Sequence, residues 1–343
     1  MTATEPKCAL SCPIFVFVIC SKSNRYRGGM GTTGSSTRPS TEPDTGPTTD
    51  FSDAAPRASR PASGTAFTAA AARAAHLLVD TEPVIFSDPL AATLLGDRAE
   101  ELLAYHRLHG THPVLAGARA QAVCRARFTE DRLHRANSGI DQYVILGAGL
   151  DSFAYRSTST RFRVFEVDQP ATQAVKRELL DTAGITTPAS VTFVPVDFEA
   201  DRLREQLVQS GLDPFRPVFV AWLGVTVYLT RKAILATLTD LGGFAPGSEI
   251  VTDHLLPAEL RDAAGNSYAE AVAAMAAEQG EPWHTFLSPT AMATLLTDAG
   301  FEVVEQAGQR DSVAPELWRR ADALRPSALS ALVHARIPAR PGM

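Results

Sequence analysis

The sequence predicts an α/β fold: a doubly wound, mostly parallel seven-stranded sheet with helices on both faces and an N-terminal helical cover. Three observations carry that expectation. From Gln142 onward, short apolar runs alternate with longer helix-forming stretches. The first run, Tyr143-Val144-Ile145-Leu146, has the length and β-branched content of a buried parallel strand, and it stops on Gly147-Ala148-Gly149. Glycines there let the backbone turn sharply and let a ligand come close. The second run, Phe162 to Val167, ends on Asp168, 19 residues after Gly149. An acid at that strand tip accepts hydrogen bonds from ribose hydroxyls in a nucleotide-binding βαβ unit. Gln142 to Gln169 therefore reads as the adenosine-binding half of the sheet, although turn glycines and strand-end aspartates also occur without any ligand.

What is missing narrows the ligand. The third glycine of a dinucleotide fingerprint would fall at Ser152, and the helix-forming segment behind the loop is short. A pyrophosphate needs close backbone approach and a good helix N-terminus. The loop thus points to a nucleoside without phosphates. Two alternatives stay beside it: a nicotinamide-dependent oxidoreductase on the same kind of sheet, and a nucleoside-binding protein without turnover.

Upstream, residues 1–63 differ from the rest. Ala9 to Cys20 is apolar but too short to span a bilayer, and Gly28 to Ala62 is rich in Gly, Pro, Ser and Thr. The expectation is a disordered tail, with Met30 as an alternative start and one domain over 64–343. Cys8, Cys12 and Cys20 are spaced as C-x3-C-x7-C, which matches no usual zinc pattern. Thr65 to Val79 is a helix by propensity. Ser87-Asp88-Pro89 reads as a helix start, with Asp88 as N-cap and proline in the first turn. Pro113 to Asn137 forms a long helix carrying Arg119, Arg125, Arg127 and Arg132. An arginine so close to the first strand could grip a carboxylate with its fork, and a solvated basic face is the plainer reading.

The segments LGAGLDSFAYR (Leu146–Arg156) and VFEVDQP (Val164–Pro170) resemble those of the leucine carboxyl methyltransferase-like family. Within it, the chain is most similar to an actinobacterial group of S-adenosyl-L-methionine-dependent methyltransferases. The resemblance runs from about Gly64 to Ile337. It implies a class I methyltransferase-type sheet, S-adenosyl-L-methionine as cofactor, and methyl transfer to an oxygen of a small-molecule or protein-carboxylate acceptor. In the element Arg125-Ala126-Arg127-Phe128 it favours Arg125 over Arg127 as the residue that meets the cofactor's carboxylate.

Further on, Pro170 to Ala183 is helical and Val191 to Val196 is the third strand, ending on Asp197-Phe198. By the same resemblance Asp197 and Phe198 take the adenine. Capping a helix over Glu199 to Gln209 is an equally good use for Asp197. Pro217 to Leu223 is the fourth strand, followed by GVTVYLT (Gly224–Thr230), a family-like segment. Many members carry a Glu just before that glycine, in contact with the cofactor; here Leu223 takes its place. Arg231 to Leu241 is a helix, Ser248 to Leu255 the fifth strand, and Pro257 to Gln279 a helix that either covers the substrate or lies on the surface. A helix over Pro289 to Ala299 and strands over Phe301 to Glu305 and Ala331 to Ile337 complete the chain, the last strand antiparallel. Gly147, Gly149, Asp168, Asp197 and Phe198 all fall at carboxyl ends of strands, where such sheets bind ligands.

A net charge of −6 and a pI near 5.8 give no global pull toward nucleic acid. With 45% apolar and 20% charged residues, the composition is that of an ordinary soluble protein, with no membrane association and a cytoplasmic location as the default. No metal is expected. Asp253, His254 and His284 are the titratable residues nearest the expected site, and none has a sequence context that marks it as catalytic.

Overall fold

A computed structural model of the chain describes residues 62–137 and 139–339, all within the unit Ser59–Met343. The expected tail and its three cysteines lie outside the described residues, apart from Ala62 and Ser63. Ser63 is ordered as a helix cap: its hydroxyl accepts from the Ala66 amide at 3.2 Å.

The expected sheet is present, with strand order β3-β2-β1-β4-β5-β7-β6. The strands are β1 (Gln142–Leu146), β2 (Arg163–Asp168), β3 (Val191–Pro195), β4 (Val218–Trp222), β5 (Glu249–Leu255), β6 (Glu302–Gly308) and β7 (Ser330–Arg336). All neighbours are parallel except those of β7, which runs antiparallel to β5 and β6. Leu146 is registered with Val167 on one side and Trp222 on the other, so the tips of β1, β2 and β4 end level. The chain leaves β1 toward β2 and β3, then returns to β4 on β1's other flank. That reversal opens a crevice beyond the tip of β1.

Alternation along the strands splits the core in two. Val144, Leu146, Phe165, Val167, Val220 and Trp222 face one side, against Leu203, Ile234, Leu238 and Leu296. Those partners come from α6 (Leu203–Gln209), α7 (Arg231–Gly242) and α9 (Pro289–Asp298). Tyr143, Ile145, Phe219 and Val251 face the other side, where Phe128 and Leu133 of α3 (Pro113–Arg135) pack on them. An alanine-lined cluster then joins α1 (Gly64–Val79) to α2 (Ala99–His109) and to Leu150 in the glycine loop. This is the helical cover expected from the sequence. The remaining helices are α4 (Phe153–Arg156), α5 (Pro170–Thr182) and α8 (Ala263–Glu278).

Three local expectations are corrected. Asp88 caps no helix: a turn and a 3-10 segment, Thr93–Arg98, follow it, and its carboxylate takes an ion pair with Arg73 at 2.8 Å. The helix expected from Glu199 begins only at Leu203, because the Asp201 carboxylate accepts the Asp197 amide at 2.8 Å and closes a turn first. The long helix expected over 257–279 is interrupted, because Asp262 caps a fresh start by accepting from the Gly265 amide at 2.7 Å. Among the described residues, no helix is long and apolar enough to cross a membrane, and no group of three His, Cys, Asp or Glu could hold a metal.

Candidate active site

A cavity of about 470 Å³ lies at the crevice, within the size range of small-ligand sites. Its floor is the loop after β1. Gly147 and Gly149 have φ of +65° and +45°, a conformation that only glycine adopts freely. A side chain at either would also meet a neighbour: at Gly147 it would overlap Val225, and at Gly149 it would stand 3.1 Å from Ala66 of α1. Gly149 therefore admits the cover helix as well as any ligand.

Asp168 pins this loop. Its Oδ2 accepts from the Gly149 amide at 2.6 Å and its Oδ1 from the Gln169 amide at 2.7 Å. Burial pushes its carboxyl up, and the two amides offset part of that rise. Each carboxylate oxygen can accept twice, so one site on each remains toward the cavity.

Ser152, at the absent third glycine, is buried, and its hydroxyl donates to Asp88 Oδ1 at 2.6 Å while accepting from Arg156 at 3.0 Å. Arg156 in turn pairs with Glu130 of α3. Arg73 closes the network, bonding Asp88 and the Leu150 carbonyl at 2.7 Å. Burial works against the charge on Asp88, yet Arg73, Ser152 and Arg156 hold its carboxyl below the usual carboxylate range. The loop is thus braced by side chains where a pyrophosphate-binding loop would be bare, and the four-residue α4 behind it offers a poor anion site.

Arg125 enters from α3, and its side chain is 19% exposed at the cavity wall. Its neighbour Arg127 faces elsewhere, bonding Asp131 at 2.8 Å and the Ile85 carbonyl at 3.3 Å. Residues two apart on a helix point in nearly opposite directions, so one of the pair had to turn away. Arg125 packs over Gly224, where an added Cβ would lie 2.9 Å from the guanidinium carbon. Asp253 sits beside both: Oδ1 accepts from the Gly224 amide at 2.6 Å and Oδ2 stands 3.5 Å from Arg125 Nη1. Leu223 lines the wall at the position where many family members carry a Glu.

Phe198 lines the cavity and also packs 6.4 Å, centroid to centroid, from the Trp222 ring. Asp197 does not line it; its Oδ1 accepts from the Glu199 amide at 3.0 Å. The structure therefore gathers Arg125, Gly147, Gly149, Asp168 and Phe198, and leaves Asp197 in the neighbouring turn.

The far wall comes from α8 and the loop behind it: Tyr268, Met275, Glu281, Trp283 and His284, with Tyr228 packed beside Tyr268 and Trp283. Burial pushes Tyr268 up to about 12 and Tyr228 above its ordinary value, so both phenols stay protonated donors. Glu281 Oε2 accepts from the Thr65 amide at 3.0 Å and ties the loop to the first turn of α1. Glu281, Arg73 and Glu130 carry no local pattern that marks them in the sequence. His254 Nδ1 donates to the Leu287 carbonyl at 2.9 Å, and burial lowers its pKa, leaving a neutral ring. His284 is exposed.

The leucine carboxyl methyltransferase family profile matches residues 66–242. The Bacillus subtilis protein named "Putative S-adenosyl-L-methionine-dependent methyltransferase YktD" is 31% identical over 271 residues, covering 72% of this chain and 88% of that protein. A Mycolicibacterium gilvum protein with the same descriptive name is 33% identical over 207 residues, 56% of this chain and 66% of its own. Among solved structures, one titled a "putative methyltransferase from Thermobifida fusca" covers 75% of this chain and 97% of its own at 21% identity, with a TM-score of 0.49. The chain belongs to the leucine carboxyl methyltransferase family and is, on that footing, a methyltransferase that depends on S-adenosyl-L-methionine.

Proposed function

We propose that the chain methylates a carboxylate or hydroxyl oxygen of a small molecule, or a protein's terminal carboxylate, presented beside Tyr228, Tyr268 and Trp283. The observation that carries this reading is the convergence of Arg125, the Gly147–Gly149 loop, Asp168 and Phe198 on one cavity. Asp168 accepts from the ribose hydroxyls with the two acceptor sites its backbone bonds leave open. Phe198 covers the base, and Arg125 meets the cofactor's carboxylate through its fork. Asp197 is assigned no contact.

When bound, S-adenosyl-L-methionine supplies a methyl group already activated by its sulfonium. The protein's task is then to hold acceptor oxygen, methyl carbon and sulfur in line and to keep water out. The Glu281 bond to α1 ties the far wall of the cavity to the cover helix. A carboxylate acceptor needs no base, whereas a hydroxyl gains from one. Asp253 faces the Arg125 guanidinium at 3.5 Å, and the second ring nitrogen of His254, a residue bordering the cavity, is buried without a partner.

The test has two arms. Calorimetry should show S-adenosylhomocysteine binding far more tightly than NAD; the reverse order would refute the cofactor assignment. Incubating the protein with labelled methyl donor and metabolite extract should then yield labelled product. Alkali should release labelled methanol from a methyl ester and not from an ether, which separates the two acceptors. Label on nitrogen or carbon alone would refute oxygen methylation.

A further inference from the structure

We propose that Asp253 binds the α-ammonium of the cofactor while Arg125 binds its α-carboxylate, so that the two residues together clamp the zwitterion. The proposal rests on the cofactor assignment made above and names the residue that fills the gap left at Leu223.

The register places the acid. The last pair between β4 and β5 is Trp222 with Thr252, so Leu223 and Asp253 follow side by side at the two strand tips. An apolar residue at the end of β4 leaves that wall without an acceptor, and Asp253 supplies one from the adjacent strand. Both residues line the cavity.

The state of the two charges supports a ligand role. Asp253 is 3% exposed, and a buried carboxylate needs full pairing. It has the Gly224 amide at 2.6 Å, but its contact with Arg125 Nη1, at 3.5 Å, is long for a charge-assisted bond. Arg125 is poorer still: among the described residues its guanidinium makes no hydrogen bond or ion pair tighter than that one. By contrast, Arg119 on the same helix bonds Asp80 at 2.8 and 2.9 Å and the Gly110 carbonyl at 2.7 Å. A five-donor fork held at a cavity wall with one loose partner is unfinished. An α-amino acid group completes both residues at once and keeps the buried site neutral, which limits the cost of desolvation.

The backbone fixes this pair in place. Thr226 Oγ1 donates to the Asp253 carbonyl at 2.9 Å, and Gly224, with φ of +69°, leaves room for the guanidinium that any side chain would take.

The test is Asp253→Asn, which keeps an oxygen for the Gly224 amide. Binding would be measured with S-adenosylhomocysteine, its deamino analogue and methylthioadenosine, which lacks the amino-acid end. Loss of a charged acceptor should weaken S-adenosylhomocysteine by about 10- to 100-fold and leave the other two within about threefold of wild type. Leu223→Glu added to Asp253→Asn should recover most of that loss. An equal loss for all three ligands would mean a damaged pocket, and no loss for S-adenosylhomocysteine would mean that Asp253 does not touch the ammonium; either overturns the proposal. If the wild-type protein binds none of the three, the cofactor assignment itself falls and takes this proposal with it.

Discussion

Replacing Asp168 by alanine tests both halves of its role. The carboxylate accepts from Gly149 at 2.6 Å and from Gln169 at 2.7 Å, so the variant leaves two amides without a charged partner. Bonds to charged groups contribute roughly 1.5–3 kcal/mol each. Burial already works against this charge, as its raised pKa records, and water can enter the gap, so the net loss of stability should be about 1–3 kcal/mol. At roughly 2–4 °C per kcal/mol for a domain of this size, melting should fall by several degrees. A strand-tip acid read from sequence alone carries no such cost, because the two amides that bond it come from the loop and from the residue after it. Affinity for S-adenosylhomocysteine should fall in parallel, because two hydroxyl donors lose their acceptor. A net loss of about 2–4 kcal/mol is on the order of 30- to 1000-fold. Asp168→Asn, which keeps one acceptor oxygen, should recover part of the stability and little of the affinity. Calorimetry and thermal melting on the same preparations read both quantities. An affinity change below about threefold, with melting lowered, would make Asp168 a loop latch and remove it from the ribose site.

Other perturbations read other parts of the site. Glu281→Ala removes the bond to the Thr65 amide, so S-adenosylhomocysteine should dissociate faster, by roughly three- to tenfold in a stopped-flow chase; an unchanged rate would show that this contact does not hold the cavity shut. Ser152→Gly restores the third glycine of a dinucleotide loop but strips bonds to Asp88 and Arg156. It should cost about 2–3 kcal/mol in denaturant unfolding and confer no NAD binding; tight NAD binding would refute the argument from the loop. His106 is held neutral, because burial and then Arg119 lower its pKa from 6.5 to about 4. The unfolded chain takes up that proton first as pH falls, so stability should drop between pH 6.5 and 4, by up to about 3 kcal/mol from this group. His106→Gln should flatten the melting curve against pH in that window, and a slope equal to wild type would exclude His106 as its source.

The legible parts of the site were those written in short-range pattern. A β-branched run ending on two glycines, and an acid at the next strand tip, need only their neighbours to be read. The choice between Arg125 and Arg127 was half legible: helix geometry says that they diverge, and Asp131, four residues on, claims Arg127. Helix α2 has no legible start: Arg98 makes no side-chain cap, and the 3-10 turn holding Gly96 at φ +54° breaks up its approach. The Glu281 contact with Thr65 spans 216 residues and leaves no periodic trace.

Asp88 shows why local grammar can point the wrong way. Ser-Asp-Pro satisfies every short-range rule for starting a helix, and capping contributes about 1 kcal/mol. Once α1 and the glycine loop close over it, however, Asp88 is 1% exposed. A charge so buried costs several kcal/mol unless paired, far more than a cap returns. Its partners are Arg73, 15 residues back, and Ser152, 64 residues on. Neither is visible in a window around Asp88, and Arg73 lines the cavity. The residue that looked like punctuation therefore braces the glycine loop at the cavity floor, and the same imbalance applies to Asp253. A buried acid settles where its cations are, so the acids that defy their local reading are those to test for a role in the site.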